Sequence, residues 1–176
     1  INPLVKIRLL RGNVQTRLQK LKEGQYDAIL LAAAGLERLG ITEEDGICLE
    51  YLEPDTFLPA AGQGILAVES KEGRLTEVLQ AIHCPEAALE LAAERSFLKA
   101  IGGSCNAPAA GLCRMAEGKL HMKVLYAPEA GKLHFAEGSC MLEGADRTEK
   151  DAARTLGESL ARKVKQGRVW LLGAGP

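Results

Sequence analysis

A change of hydrophobic period partway along the chain limits the folds open to it. From Pro85 to Ala100 the apolar residues recur at helical spacing. Proline opens that run, at a position where a missing N–H costs a helix nothing. Gly102-Gly103 then ends it, and Pro108 sets the exit direction. Residues 109 to 140 switch to short alternating runs broken by Glu117-Gly118, Glu129-Ala130-Gly131 and Glu137-Gly138, which predicts an antiparallel meander. A helix follows from Asp146 to Lys165, with Ala153, Leu156, Leu160 and Val164 on one face.

The first part of the chain has a different rhythm. Leu4 to Leu10 alternates Val5, Ile7 and Leu9 with Lys6 and Arg8, the period of a half-buried strand. Arg11-Gly12-Asn13 turns the chain, and Val14, Leu18 and Leu21 recur at helical spacing up to a terminating Gly24. The continuous apolar run from Ala28 to Ala33 predicts a buried strand, and a short helix follows over Gly35 to Gly40. Further strands are predicted at Ile47 to Leu52 and Ile65 to Val68, either side of a Pro/Gly connector over Pro54 to Gly64, and a helix over Leu75 to Ile82. Strand, helix, strand implies a parallel α/β lobe. The fold class is therefore α/β, an α/β lobe followed by a small α+β domain, with the join near residues 70 to 84.

With 176 residues, 47% of them hydrophobic, the chain has enough apolar material for one medium domain or two small ones. Its 22 basic and 23 acidic residues leave a net charge of −1, which recommends neither nucleic acid nor an anionic membrane as partner. No apolar run approaches the roughly 18 residues of a membrane span, so a cytoplasmic location is the default expectation. The five cysteines (Cys48, Cys84, Cys105, Cys113, Cys140) are odd in number and irregular in spacing, without the pattern of a disulfide framework or a zinc site. Metal ligation by Cys105, Cys113 and His121 matches no standard spacing, and no metal is expected. Starting at Ile1 and stopping in Gly173-Ala174-Gly175-Pro176, the chain reads as a piece of something longer.

Three segments could carry chemistry. In Arg11-Gly12-Asn13-Val14-Gln15-Thr16-Arg17, two guanidinium groups flank a helix start with Asn13 as candidate cap. Free first-turn amides and two arginine forks suit a carboxylate, although capped helices with solvated arginines are also common. Leu58-Pro59-Ala60-Ala61-Gly62-Gln63-Gly64 is a small-residue loop that could be a hinge, a ligand contact or an ordinary connector. Cys105 sits on the glycine turn after the long helix, either as a nucleophile or attachment point or as a loop thiol without a role. The preceding helix presents its negative pole there, which does not activate a thiol. His83, His121 and His134 form no recognisable pairing with it.

Together these segments resemble the porphobilinogen deaminase (hydroxymethylbilane synthase) family. R-G-N-x-x-T-R is Arg11 to Arg17, followed by the Tyr26 to Gly40 segment. L-P-x-x-G-Q-G is Leu58 to Gly64, and the cysteine signature E-R-x-x-x-x-x-x-x-G-x-C-x-x-P is Glu94 to Pro108. The resemblance covers residues 4 to 168 and implies three α/β domains in the complete protein, two of them like periplasmic binding proteins. Residues 1–64 would be the later half of the second, substrate- and cofactor-binding domain, and 65–80 the segment returning to a first domain absent here. Residues 81–168 would be the third, cofactor-attachment domain.

The implied activity condenses four porphobilinogen molecules, with loss of ammonia, into a linear tetrapyrrole on a dipyrromethane primer joined to Cys105 by a thioether. Porphobilinogen and the growing oligopyrrole are the implied partners. Arg11 and Arg17 match carboxylate-binding positions, and Asn13, Gly35 and Gln63 lie in motifs expected near cofactor or substrate. The aspartate that stabilises the cationic pyrrole belongs to the absent first domain, so the catalytic residue is unknown here, and the chain alone is expected to be inactive with a bare thiol. Ala107 and Ala109 stand where the family has larger aliphatic residues, and Ser104 where glycine is common, which puts packing near the cofactor in doubt. Val169 to Pro176 resembles the opening strand and glycine loop of uroporphyrinogen-III methyltransferase, an S-adenosylmethionine enzyme, and would then start a fused second domain; a generic strand-turn is the alternative. A non-catalytic binding module for a carboxylated ligand is the competing reading of the whole.

Overall fold

The computed structural model describes residues 4–43, 46–103, 107–129, 132–142 and 146–167. The chain forms two compact units, Ile1–Leu52 and Glu53–Pro176.

In the first unit, helix α1 (Val14–Lys22) starts where the sequence predicts. The Oδ1 of Asn13 accepts the Thr16 N–H at 2.8 Å and the Thr16 hydroxyl at 2.9 Å, so the cap satisfies one of the amides a helix start leaves open. At the other end Gly24 adopts φ +71° and the Gln25 N–H returns to the Lys20 carbonyl at 3.0 Å, a left-handed stop that favours glycine. Helix α2 (Ala33–Arg38) follows. Leu18, Leu36 and Ile47 form the unit's small core, with Val14, Leu21, Ile29, Leu31, Ile41 and Leu49 packed around them.

The runs predicted as strands at 4–10, 28–33, 47–52 and 65–68 belong to no hydrogen-bonded ladder among the described residues, and Ala33 instead begins α2. The reason is that a strand exists only with a neighbour. An alternating or apolar run signals which surfaces become buried in a sheet, but the ladder's bonds come from another segment. Ile7, Leu9, Leu30 and Leu66 accordingly remain exposed.

The second unit carries the other elements: α3 (Thr76–Ile82), α4 (Pro85–Ala100), β1 (Ala109–Ala116), β2 (Lys119–Glu129), β3 (Lys132–Met141) and α5 (Asp146–Lys165). The three strands form an antiparallel meander in the order β1-β2-β3. Both helices pack on one face of it, α4 along β1 and α5 over β3 and β2, and against each other. Cross-strand rows Gly111–Val124–Ala136, Cys113–Met122–Gly138 and Met115–Leu120–Cys140 run across the sheet. Phe97, Leu120, Met122, Val124, Leu160 and Val164 are buried completely in the resulting core.

The β1–β2 hairpin turns on Glu117 (φ +52°) and Gly118 (φ +72°), the two-residue turn whose twist matches paired strands. Gly138 corrects the sequence reading, which places a break there. It lies inside β3, where a Cβ would come 3.3 Å from Leu160 Cδ2, so the glycine admits α5 rather than turning the chain. No described helix is long and apolar enough to cross a membrane.

Candidate functional site

The first unit brings Arg11, Asn13 and Arg17 onto one turn. Gly12 takes φ +124°, and a Cβ there would stand 2.9 Å from Thr16 Cγ2, so this position needs glycine both for its angle and for space. The Gly12 carbonyl accepts the Arg17 Nε–H at 2.7 Å, which aims a half-buried guanidinium while leaving its terminal nitrogens without an acceptor among the described residues. Lys20 Nζ donates to the Arg11 carbonyl at 3.1 Å, adding a third cation to the turn. Arg11 itself is exposed and makes no side-chain hydrogen bond among the described residues. Basic side chains at a helix start oppose its dipole and weaken the isolated helix. An anion held there would reverse that penalty, with arginine forks suited to bidentate carboxylate binding.

Gly35 lies in α2 beside this turn, where an added Cβ would come 3.8 Å from Val14 Cγ2, ordinary contact distance. A methyl group would therefore fit there, and the contact of α2 with the start of α1 does not itself require glycine. Lys20 was not singled out by the sequence reading; its place at Arg17+3, on the same helix side, is the signal that could have found it.

Gln63 belongs to the second unit and is exposed between Gly62 (φ +80°) and Gly64 (φ +85°), two left-handed positions that account for the G-Q-G pattern. This loop is fastened to the sheet. The Pro59 carbonyl accepts the Gly111 N–H at 3.0 Å, and the Gly62 N–H donates to Glu94 Oε2 at 2.5 Å. Glu94 Oε1 accepts the Cys113 N–H at 2.7 Å. Burial pushes the Glu94 carboxyl above the ordinary glutamate range, opposed by those two N–H groups and by Arg114.

Cys105 lies outside the described residues, as do Ser104 and Asn106. The residues on either side of them are described. Gly103 N–H returns to the Leu98 carbonyl at 2.9 Å, and a Cβ on Gly103 would stand 2.8 Å from the Ala107 Cβ, so the chain leaves α4 and re-enters β1 at nearly the same place. Ala107 and Ala109 are only partly buried. Among the other thiols, Cys113 is fully buried, away from any ligand, and burial together with Glu94 pushes its pKa up to about 12.

Residues 1–78 match the family model described as "Porphobilinogen deaminase, dipyromethane cofactor binding domain". That match takes in the whole of the first unit and the start of the second. Curated proteins named porphobilinogen deaminase extend the likeness along the chain. The one from Nitrobacter hamburgensis is 39% identical over 168 residues, covering 94% of this chain and 50% of its own length. The one from Chromobacterium violaceum is 39% identical over 164 residues, covering 92% and 50%. That of Roseiflexus castenholzii is 52% identical over 105 residues, covering 58% and 34%. The chain belongs to the porphobilinogen deaminase family and spans about half the length of the curated relatives it matches.

The residues present fit such a cofactor. A pair of pyrroles bearing acetate and propionate groups is polyanionic, and the α1 turn offers guanidinium nitrogens of Arg11 and Arg17 that no other described residue uses.

Proposed function

We propose that this chain is the oligopyrrole-holding part of a hydroxymethylbilane synthase, a transferase that joins four porphobilinogen molecules with release of ammonia. The observation that carries this reading is the α1 turn, where Gly12 aims Arg17 beside Arg11 in a segment matching the family's cofactor-binding domain. When bound, the dipyrromethane supplies the pyrrole carbon on which the chain is extended. Cys105 anchors it as a thioether. Arg11 and Arg17 hold carboxylates, Asn13 keeps the helix start in shape, and Gly35 and Gln63 lie beside cofactor or substrate.

Residues 1–64 act as the later half of a periplasmic-binding-type second domain, 65–80 as the return to a first domain, and 81–168 as the cofactor-attachment domain. In this arrangement the exposed apolar runs at 4–10 and 65–68 become sheet strands alongside segments that this chain does not contain. The aspartate that stabilises the cationic pyrrole belongs to that first domain, so the chain does not turn over alone. The full-length protein works in the cytoplasm, and residues 169–176 begin a fused methyltransferase domain.

Mass spectrometry of the full-length protein tests this reading. A two-pyrrole adduct on Cys105 is expected, growing on addition of porphobilinogen and absent in Cys105→Ser. A protein that binds pyrrole carboxylates through Arg11 and Arg17 yet stays unmodified would be a binding module instead.

A further inference from the structure

Strand β1 is an edge strand, and its outward N–H groups would ordinarily invite another strand. Three of them, at alternate residues, are taken by groups from outside the sheet. Gly111 N–H goes to the Pro59 carbonyl, Cys113 N–H to Glu94 Oε1, and Met115 N–H to Glu90 Oε1 at 2.9 Å. Glu90 and Glu94 are one helical turn apart on α4, which matches the two-residue step along the strand. Among the described residues Glu90 serves only the edge and the exposed Arg114. Glu94 reaches further, because its second oxygen takes the Gly62 N–H of the Gly62-Gln63-Gly64 loop.

We propose that Glu94 is a positioning residue that fixes Gln63 relative to the two chain ends flanking Cys105. The helix that carries Glu94 ends at Ala100, just before Gly103, and the strand that Glu94 binds begins at Ala109, just after Ala107. One carboxylate therefore ties the glutamine loop to both sides of the cysteine segment. Glu94 is only 2% exposed, and its oxygens are committed to main-chain donors, so its place in the fold leaves little room for it to act on a ligand directly. Its functional part rests on the reading of Gln63 and Cys105 given above; the clasp itself does not.

Glu94→Gln keeps the size and leaves a single good acceptor. Losing the bond at the fully buried Cys113 costs more than losing it at the half-exposed Gly62, so Gly62 is the one released. Amide exchange on the 176-residue chain should then show the Gly62 protection factor falling by roughly tenfold or more, with Val124 in mid-sheet unchanged. Unchanged protection at Gly62 overturns the clasp. Should that variant fail to fold, the wild-type chain decides by titration. Protonation of Glu94, which faces Glu90 on its own helix and Arg114 and Cys113 on β1, lowers protection at Gly62 but not at Gly111, whose acceptor is a carbonyl. Equal behaviour of the two amides refutes the proposal.

In the full-length protein, Glu94→Gln should lower kcat while the pyrrole load on Cys105 stays complete. An unaltered kcat at full load removes the positioning role. A wild-type protein with no pyrrole on Cys105 removes the functional reading, and the exchange results still decide the clasp.

Discussion

Replacing Gly157 by alanine sets two well-characterised effects against each other, and the structure decides between them. Gly157 lies mid-way along α5, where alanine is worth about 0.5–1 kcal/mol over glycine in helix propensity. A Cβ at this position, however, would run into the Ala93 carbonyl oxygen and Ser96 Oγ of α4 and stand 2.8 Å from the Phe97 nitrogen. Two of these atoms are main chain and cannot rotate aside. Overpacking typically costs about 1–3 kcal/mol, and rigid neighbours place this site at the upper end. Ser96 Oγ, whose one proton is shared between the Ala93 carbonyl at 3.0 Å and the Arg154 carbonyl at 2.8 Å, also bridges the helices, and separation of α4 and α5 would break the second contact at a cost of at most about 1 kcal/mol. The expected net result is destabilisation by about 2–3 kcal/mol.

Urea unfolding followed by far-ultraviolet circular dichroism reads this directly, since α4 and α5, of 16 and 20 residues, carry most of the helix. The midpoint should fall by about 1 M or more at unchanged slope. Gly138→Ala is the matched control. Its added Cβ would meet only Leu160 and Leu156 side-chain carbons, at 3.3 and 3.4 Å, which can shift, so its cost should stay near 1 kcal/mol or below. A Gly157→Ala chain as stable as wild type would refute the argument that main-chain contact sets the spacing of the two helices.

Arg17→Lys keeps the charge but loses the Nε–H donated to the Gly12 carbonyl and the planar fork, so affinity for a pyrrole carboxylate should fall about tenfold, read by titration calorimetry. Equal affinity would mean that charge alone matters at the α1 turn. Glu94 also gives stability a pH dependence of definite sign. Its carboxyl is raised in the folded state, chiefly by burial, so the folded chain binds that proton more tightly than the unfolded one. Its contribution therefore weakens stability as pH rises from the ordinary glutamate pKa through the raised one. The stability of wild type relative to Glu94→Gln should decline across that window, measured by urea unfolding at several pH values; a constant difference contradicts the burial argument.

Legibility of the chain followed the range of the forces involved. The proline at the start of α4, the Asn13 cap, the Gly24 stop and the apolar stripe of α5 are each written within a few residues, and each element stands where those residues place it. The meander was legible for the same reason, apart from Gly138, whose meaning depends on a helix some 20 residues later. The strands expected in the first unit show the opposite limit, because their apolar patterns state a requirement for neighbours without supplying them. At the site, Arg11, Asn13 and Arg17 could be grouped from sequence because one helical turn joins them. Glu94 could not be read as a clasp, although it stands in the cysteine signature, because its two partners are Gly62 and Cys113, separated from it by 32 and 19 residues.

By itself, then, the sequence determined the helices, with α2 displaced by two residues from its expected Gly35 to Gly40, the hairpin meander, the family and the cationic turn at α1, all consequences of short-range backbone preferences and side-chain spacing. Tertiary structure alone decided which edge amides of β1 meet carboxylates and how closely α5 approaches α4. It also decided that the glutamine loop is tied to both ends of the cysteine segment. Those outcomes depend on distances between residues far apart in the chain, which become defined only when the two helices settle on the sheet and exclude water from the groups between them.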